Sequence, residues 1–167
     1  MPIEWHAQGR QLHLYNERIS YIMRVLGTGT LAHLYFGPRL ATGQDYAHFV
    51  RDSYMTTYNQ VLDPIPTEMP TAGSGDFRVP GLSVRHADGS TVLGLVYRDH
   101  TISVGKPHLD GLPSTYVEDA AEADTVEITL IDGHSNLQVR LLATIYAERP
   151  VVTRSMRVVN DGNGDVK

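Results

Sequence analysis

The sequence predicts an all-β chain, an antiparallel β-sandwich with few or no helices. Three observations carry this: period-two alternation, glycine-bearing turns between the alternating runs, and weak helical periodicity. "RISYIMRVL" puts Ile19, Tyr21, Met23 and Val25 on one face. "VEITLID" groups Val126, Ile128 and Leu130, with Glu127 and Thr129 opposite. "LQVRLLATIYAE" sets Leu137, Val139, Leu141, Ala143 and Ile145 against Gln138, Arg140 and Thr144. Such alternation marks strands with one face on a core and the other face wetter.

The turns fall where a meander needs them. "ADGS" (87–90) separates "LSVRH" from "TVLGLVYRDH", and "IDGHSN" (131–136) separates the next two runs. "NDGNG" (160–164) follows "VTRSMRVV" as a third turn. Asp-Gly favours tight hairpins, and several short runs with such turns point to a sandwich. The third turn has almost no chain after it, so an edge strand without its return is expected, and with it an unfinished sheet. The best helical candidate is "DYAHFVRDSYM" (45–55), where Ala47, Val50 and Tyr54 share a helical face. A Pro-rich connection, "LDPIPTEMPTAGSGDFRVPG" (62–81), is long enough to be functional.

Composition narrows the functional classes. The chain has 167 residues, one domain's length, and 41% hydrophobic residues, enough for a packed core. It carries 14 basic and 19 acidic side chains, a net charge of −5 with no basic stripe, which argues against a nucleic-acid partner. There is no cysteine, so disulfides and thiol chemistry drop out. No run approaches the roughly 18 apolar residues of a membrane helix. The first residues lack the pattern of a secretory signal, and a cytoplasmic protein is expected.

The chemical candidates are few. "GLPSTYVEDAAEAD" (111–124) gathers Glu118, Asp119, Glu122 and Asp124. Glycoside hydrolysis uses two carboxyls flanking the scissile bond, but acids this close in a surface turn are expected mostly to face water. The eight histidines show no His-x-His pair and no His-Glu-x-x-His run, so no metal site is expected. No nucleophile elbow, phosphate loop or dinucleotide fingerprint appears, and no cofactor is expected. The mixed stretch "QDYAHFVRDSY" (44–54) joins aromatic rings to Arg51 and Asp52, groups suited to a sugar's ring face and hydroxyls. A surface helix would carry the same residues.

Four blocks carry a resemblance: "ISYIMRVLGTGTLAHLYFG" (19–37), "GSGDFRVPGLSVRHADGSTV" (73–92), "HTISVGKPHLDGLPSTYVED" (100–119) and "VVTRSMRVVNDG" (151–162). Together, and in order, they resemble the N-terminal region of bacterial α-galactosidases of glycoside hydrolase family 36. The resemblance implies that residues 1–167 are part of a β-supersandwich preceding a catalytic (β/α)8 barrel. That barrel's two aspartates would act in a retaining mechanism on terminal α-galactosides such as melibiose and raffinose. No segment here matches the barrel's motifs, so no catalytic residue is carried over, and residues 1–167 alone are expected to be inactive. The resemblance further implies scaffolding, contact with the rest of its own chain, and a homo-oligomer, a tetramer in the family. It also implies a loop reaching a galactose pocket, placed here at Arg51 and Asp52 as substrate-binding residues. "GLPSTYVED" then becomes a structural block, with Pro113 setting a turn and Tyr116 packing inward. The residues also fit a stand-alone carbohydrate-binding or interaction module, with Trp5, Tyr46, Phe49 and Tyr54 as a stacking platform.

Overall fold

The computed structural model describes residues 2–50, 65–76, 78–111, 114–162 and 164–167. Among these residues, eight strands form two antiparallel four-stranded sheets, each a simple meander. The first holds β1 (Ile3–His6), β2 (Gln11–Tyr15), β3 (Ile19–Val25) and β4 (Leu31–Pro38). The second holds β5 (Leu95–Val104), β6 (Ala123–Asp132), β7 (Leu137–Tyr146) and β8 (Val152–Asn160). The strand faces read from the alternation are the observed ones. Tyr21, Met23 and Val25 of the first sheet join Val126, Ile128, Val139, Leu141 and Ile145 of the second in one buried cluster. Two one-sided sheets hide their apolar faces against each other, which makes a sandwich.

The β6–β7 hairpin is built by its turn residues. Asn136 takes a positive φ of 58°, a conformation Asn tolerates better than most residues. The Asp132 carboxylate accepts hydrogen bonds from Ser135 N at 2.8 Å, Ser135 Oγ at 2.6 Å and Gly94 N at 3.0 Å. Burial works to raise its pKa, but these donated bonds outweigh it and hold the carboxyl below the usual range.

Several expectations need correction. Of the helix expected over 45–55, the described part is a single 3-10 turn, Ala47–Phe49, with Val50 already extended; residues 51–55 lie outside the described residues. The "LSVRH" run is not a strand, because its backbone makes only isolated bridges, Leu82 to Thr71 and His86 to Val166, with Arg85 hydrogen-bonded to Lys167. After the 160–164 turn the chain therefore crosses to residues 85–86 instead of returning along β8. The free edge expected beside β8 is present: among the described residues no strand pairs with its outer side.

Bulges explain what strict alternation hides. β5 shifts register between Tyr97 and Asp99, so Tyr97 and His100, three apart, both face the core side. β4 shifts likewise opposite Ile22 and Met23, which places His33 across from Met23 and Phe36 across from Tyr21.

Candidate functional site

The acid-rich segment forms one wall of a surface groove of about 990 Å³. Tyr116, Glu118 and Asp119 face Tyr146, Arg149 and Val151 of the β7–β8 turn across it. Tyr116 does not pack inward: it is 76% exposed, the opposite of the expected role. Tyr146 holds the loop instead, its hydroxyl donating to Thr115 Oγ1 at 2.8 Å. Beneath, Asn16 ties the β2–β3 turn to the β7–β8 turn. Its amide donates to Tyr146 O and Arg149 O, both at 2.8 Å, while its carbonyl oxygen accepts from the N–H groups of Arg18 and Ile19.

Two of the acids are structural. Asp119 caps a 3-10 turn (Ala120–Glu122) by accepting from Ala121 N at 2.8 Å, and Glu122 reaches back to accept from Asp119 N at 2.9 Å. This reciprocal capping box commits both carboxylates to backbone. Asp124 departs from the expectation that these acids face water. It is buried at the start of β6, and desolvation pushes its pKa up.

The proposed stacking rings are already occupied. Phe49 stacks on Tyr35 (5.5 Å) and on Tyr46 (5.4 Å), so its ring is already engaged within the fold. Tyr46 is buried. Trp5 stacks on Tyr97 at 6.0 Å and leans on His100 at 4.6 Å, with Tyr97 Oη hydrogen-bonded to His100 Nδ1 at 2.7 Å. Tyr54 and the candidate sugar contacts Arg51 and Asp52 lie outside the described residues. Among the described residues, no group of three or more His, Asp or Glu side chains is placed to hold a metal ion.

The strongest polar constellation is one that sequence reading missed. Residues 66–68 run beside β4: His33 N donates to Pro66 O, Glu68 N donates to Leu31 O, and Thr67 bridges Ala32. This inserts Glu68, its side chain 1% exposed, between the sheets. Its carboxylate accepts from Tyr21 Oη at 2.7 Å and meets His33 Nδ1 at 2.9 Å and Arg154 Nη2 at 2.9 Å. Arg154 also donates to Glu68 O at 2.8 Å. Burial, then the neighbouring carboxylate, pushes the Tyr21 phenol far up, so it stays protonated and donates to Glu68.

The "GDFR" block secures the same place. Asp76 accepts from Thr67 Oγ1 at 2.7 Å and from Arg78 Nη2 at 2.5 Å, and Arg78 also donates to Thr67 O at 2.8 Å. Hydrogen bonds from Arg78 first, and from Thr67, hold the Asp76 carboxyl well below the usual range. Glu68 is thus a buried clasp joining β3, β4 and β8.

Comparison with known proteins agrees with this reading. The model of the glycosyl hydrolase family 36 N-terminal domain matches residues 29–167. Alpha-galactosidase 1 of Pediococcus pentosaceus is 42% identical over 166 residues, covering 92% of this chain and 22% of that protein. The crystal structure of the GH36 alpha-galactosidase AgaB of Geobacillus stearothermophilus superposes with a TM-score of 0.86 at 37% identity, over 99% of this chain and 23% of that one. A variant of alpha-galactosidase AgaA from the same organism, solved in complex with raffinose, gives a TM-score of 0.83 at 37% identity, over 93% and 23%. The chain therefore spans less than a quarter of the length of the relatives it matches.

Proposed function

The chain belongs to the glycosyl hydrolase family 36 N-terminal domain family, and from that premise we propose that it serves a longer α-galactosidase as its noncatalytic β-sandwich part. The observation that carries this is the coverage: nearly all of this chain aligns with under a quarter of each α-galactosidase. On this reading the reaction is retaining hydrolysis of terminal α-D-galactosides, melibiose and raffinose among them, performed by a (β/α)8 barrel elsewhere in the chain. The raffinose complex of the AgaA variant supports the substrate class.

The domain's own contribution is mechanical. The Glu68 clasp and the Asn16 tie hold two sheets in fixed relation, and a rigid sandwich supports a neighbouring catalytic domain and the contacts of an oligomer. Residues Arg51 and Asp52 would then reach a galactose pocket, with Asp52 accepting a hydroxyl. Assaying melibiose and raffinose hydrolysis with the native-length product and with residues 1–167 alone tests the reading. Turnover by the former only is expected; turnover by the 167-residue chain, or none by either, would refute it.

A further inference from the structure

The groove beside the β7–β8 turn has a bonded frame and a free lining. In the frame, Tyr146 holds Thr115, the Asp119 and Glu122 carboxylates hold backbone N–H groups, and Asn16 holds the turn from beneath. Thr125, on the outer face of β6, fixes the other end of the same loop by donating to Gly105 O at 2.7 Å. The lining is different. Among the described residues, the side chains of Tyr116, Glu118, Glu148 and Arg149 make no hydrogen bond, ion pair or ring contact. All four are exposed, and Tyr116 is the most exposed aromatic ring of the described residues.

Each free group matches a feature of a sugar ring. The Tyr116 phenol offers a flat apolar face to the C–H side of a pyranose, and the exposed Val151 lies in the same groove. Carboxylates accept from hydroxyls and a guanidinium donates to them, so Glu118, Glu148 and Arg149 supply both senses of hydrogen bond. Other ligand classes leave something unmatched. An anion would face Glu118 and Glu148, a cation would share the groove with Arg149, and an apolar ligand would strand all three charges. A neutral ligand with hydroxyls and a flat C–H face satisfies the whole set. The volume, about 990 Å³, lies at the upper end of small-ligand sites and has room for more than one sugar ring. Because the frame is bonded in advance, little ordering opposes binding.

We propose that this groove binds the sugar chain of an α-galactoside, with one ring stacked on Tyr116 and hydroxyls held by Glu118, Glu148 and Arg149. The choice of an α-galactoside rests on the reading of the chain as part of an α-galactosidase; the fit to a sugar rests on the groove alone.

Nitration of Tyr116 by tetranitromethane, read peptide by peptide in the native-length product, reports this groove wherever else the sugar also binds. Raffinose, kept in excess at several times its Kd, is expected to slow nitration of Tyr116 about fivefold, since an occupied site is rarely open to reagent. Sorbitol at the same concentration, a polyol with no ring face, should leave the rate unchanged. Arg149→Ala should keep the sugar-free rate and require at least about threefold more raffinose for the same protection. Equal nitration with and without raffinose would overturn the proposal, and so would equal protection by sorbitol. Tyr116 shielded in the native-length product before any sugar is added would assign the groove to polypeptide and also overturn it. Should the native product be only 167 residues long, the larger reading fails, and the same assay on that chain still decides the groove.

Discussion

The two long flanks of the sandwich are closed by different means. At the β1/β5 side, Trp5 lies flat on Tyr97, His100 locks the Tyr97 hydroxyl, and the Arg10 guanidinium stands 6.0 Å from the Tyr97 ring. Aromatic surface does the closing there, and burial holds the His100 pKa below its ordinary value. β1 has four residues and β5 ten, so Val104 at the far end stays 60% exposed. At the β4/β8 side, the seal is a buried carboxylate with three polar partners, flanked by apolar residues in water. One flank is sealed by an aromatic stack, the other by a polar clasp beside exposed apolar side chains.

The sharpest way to break the contrast is Glu68→Ala. Removing one partner of a buried charge network typically costs about 3–5 kcal/mol. About 3 kcal/mol is expected here, because Arg154 is 46% exposed and can rehydrate. Urea denaturation reads it, and a loss below about 1 kcal/mol would mean the clasp is ornamental. On the other flank Trp5→Ala should cost about 2–3 kcal/mol, near the low end for large aromatic truncations because Trp5 is only partly buried. Near-UV circular dichroism should lose the signal of its only Trp in the same step.

Acid sharpens the comparison by sign. Asp76, which secures the clasp, has its folded pKa held below the ordinary 3.8. Its stabilising contribution is present above the unfolded pKa and is lost as pH falls through the folded one. Asp124, across the sheet from Val104, has its pKa raised by burial. Its contribution is full below the unfolded pKa and is lost as pH rises through the folded one. Asp76→Asn should therefore destabilise at pH 7 and flatten the acid limb of stability. Asp124→Asn should be neutral or mildly stabilising at pH 7, as thermal melts across pH 3–7 would show.

Smaller still is the effect of Val158→Thr. In residues 1–167 it should change stability by less than about 0.5 kcal/mol, as for an ordinary surface site. In the native-length product the same change should cost about 1 kcal/mol or more if the residue is buried there. In that product, Asp52→Ala should raise KM for a galactoside with assembly intact; an unchanged KM would remove Asp52 from the sugar site.

What was legible in the sequence follows from the range of each signal. Strand faces were readable because the side-chain period is local, and the β6–β7 turn because Asp132, Gly133 and Asn136 act within a few residues. The family resemblance was readable from blocks such as "GDFRVP", whose Asp76–Arg78 pair proves to fix Thr67 beside the clasp. Tyr116 was misread because an aromatic in a turn gives no sign of which side it faces. Tyr97 and His100 were hidden by a bulge that breaks the period. Glu68 was invisible because its partners lie 35 to 86 residues away, which no spacing rule connects.

The most direct measurement is the size of the native gene product in its source cell, by blotting with an antibody raised against this chain. A band several times larger than 18.5 kDa is predicted. A band at 18.5 kDa would contradict the account, since the chain would then not be one part of a longer α-galactosidase.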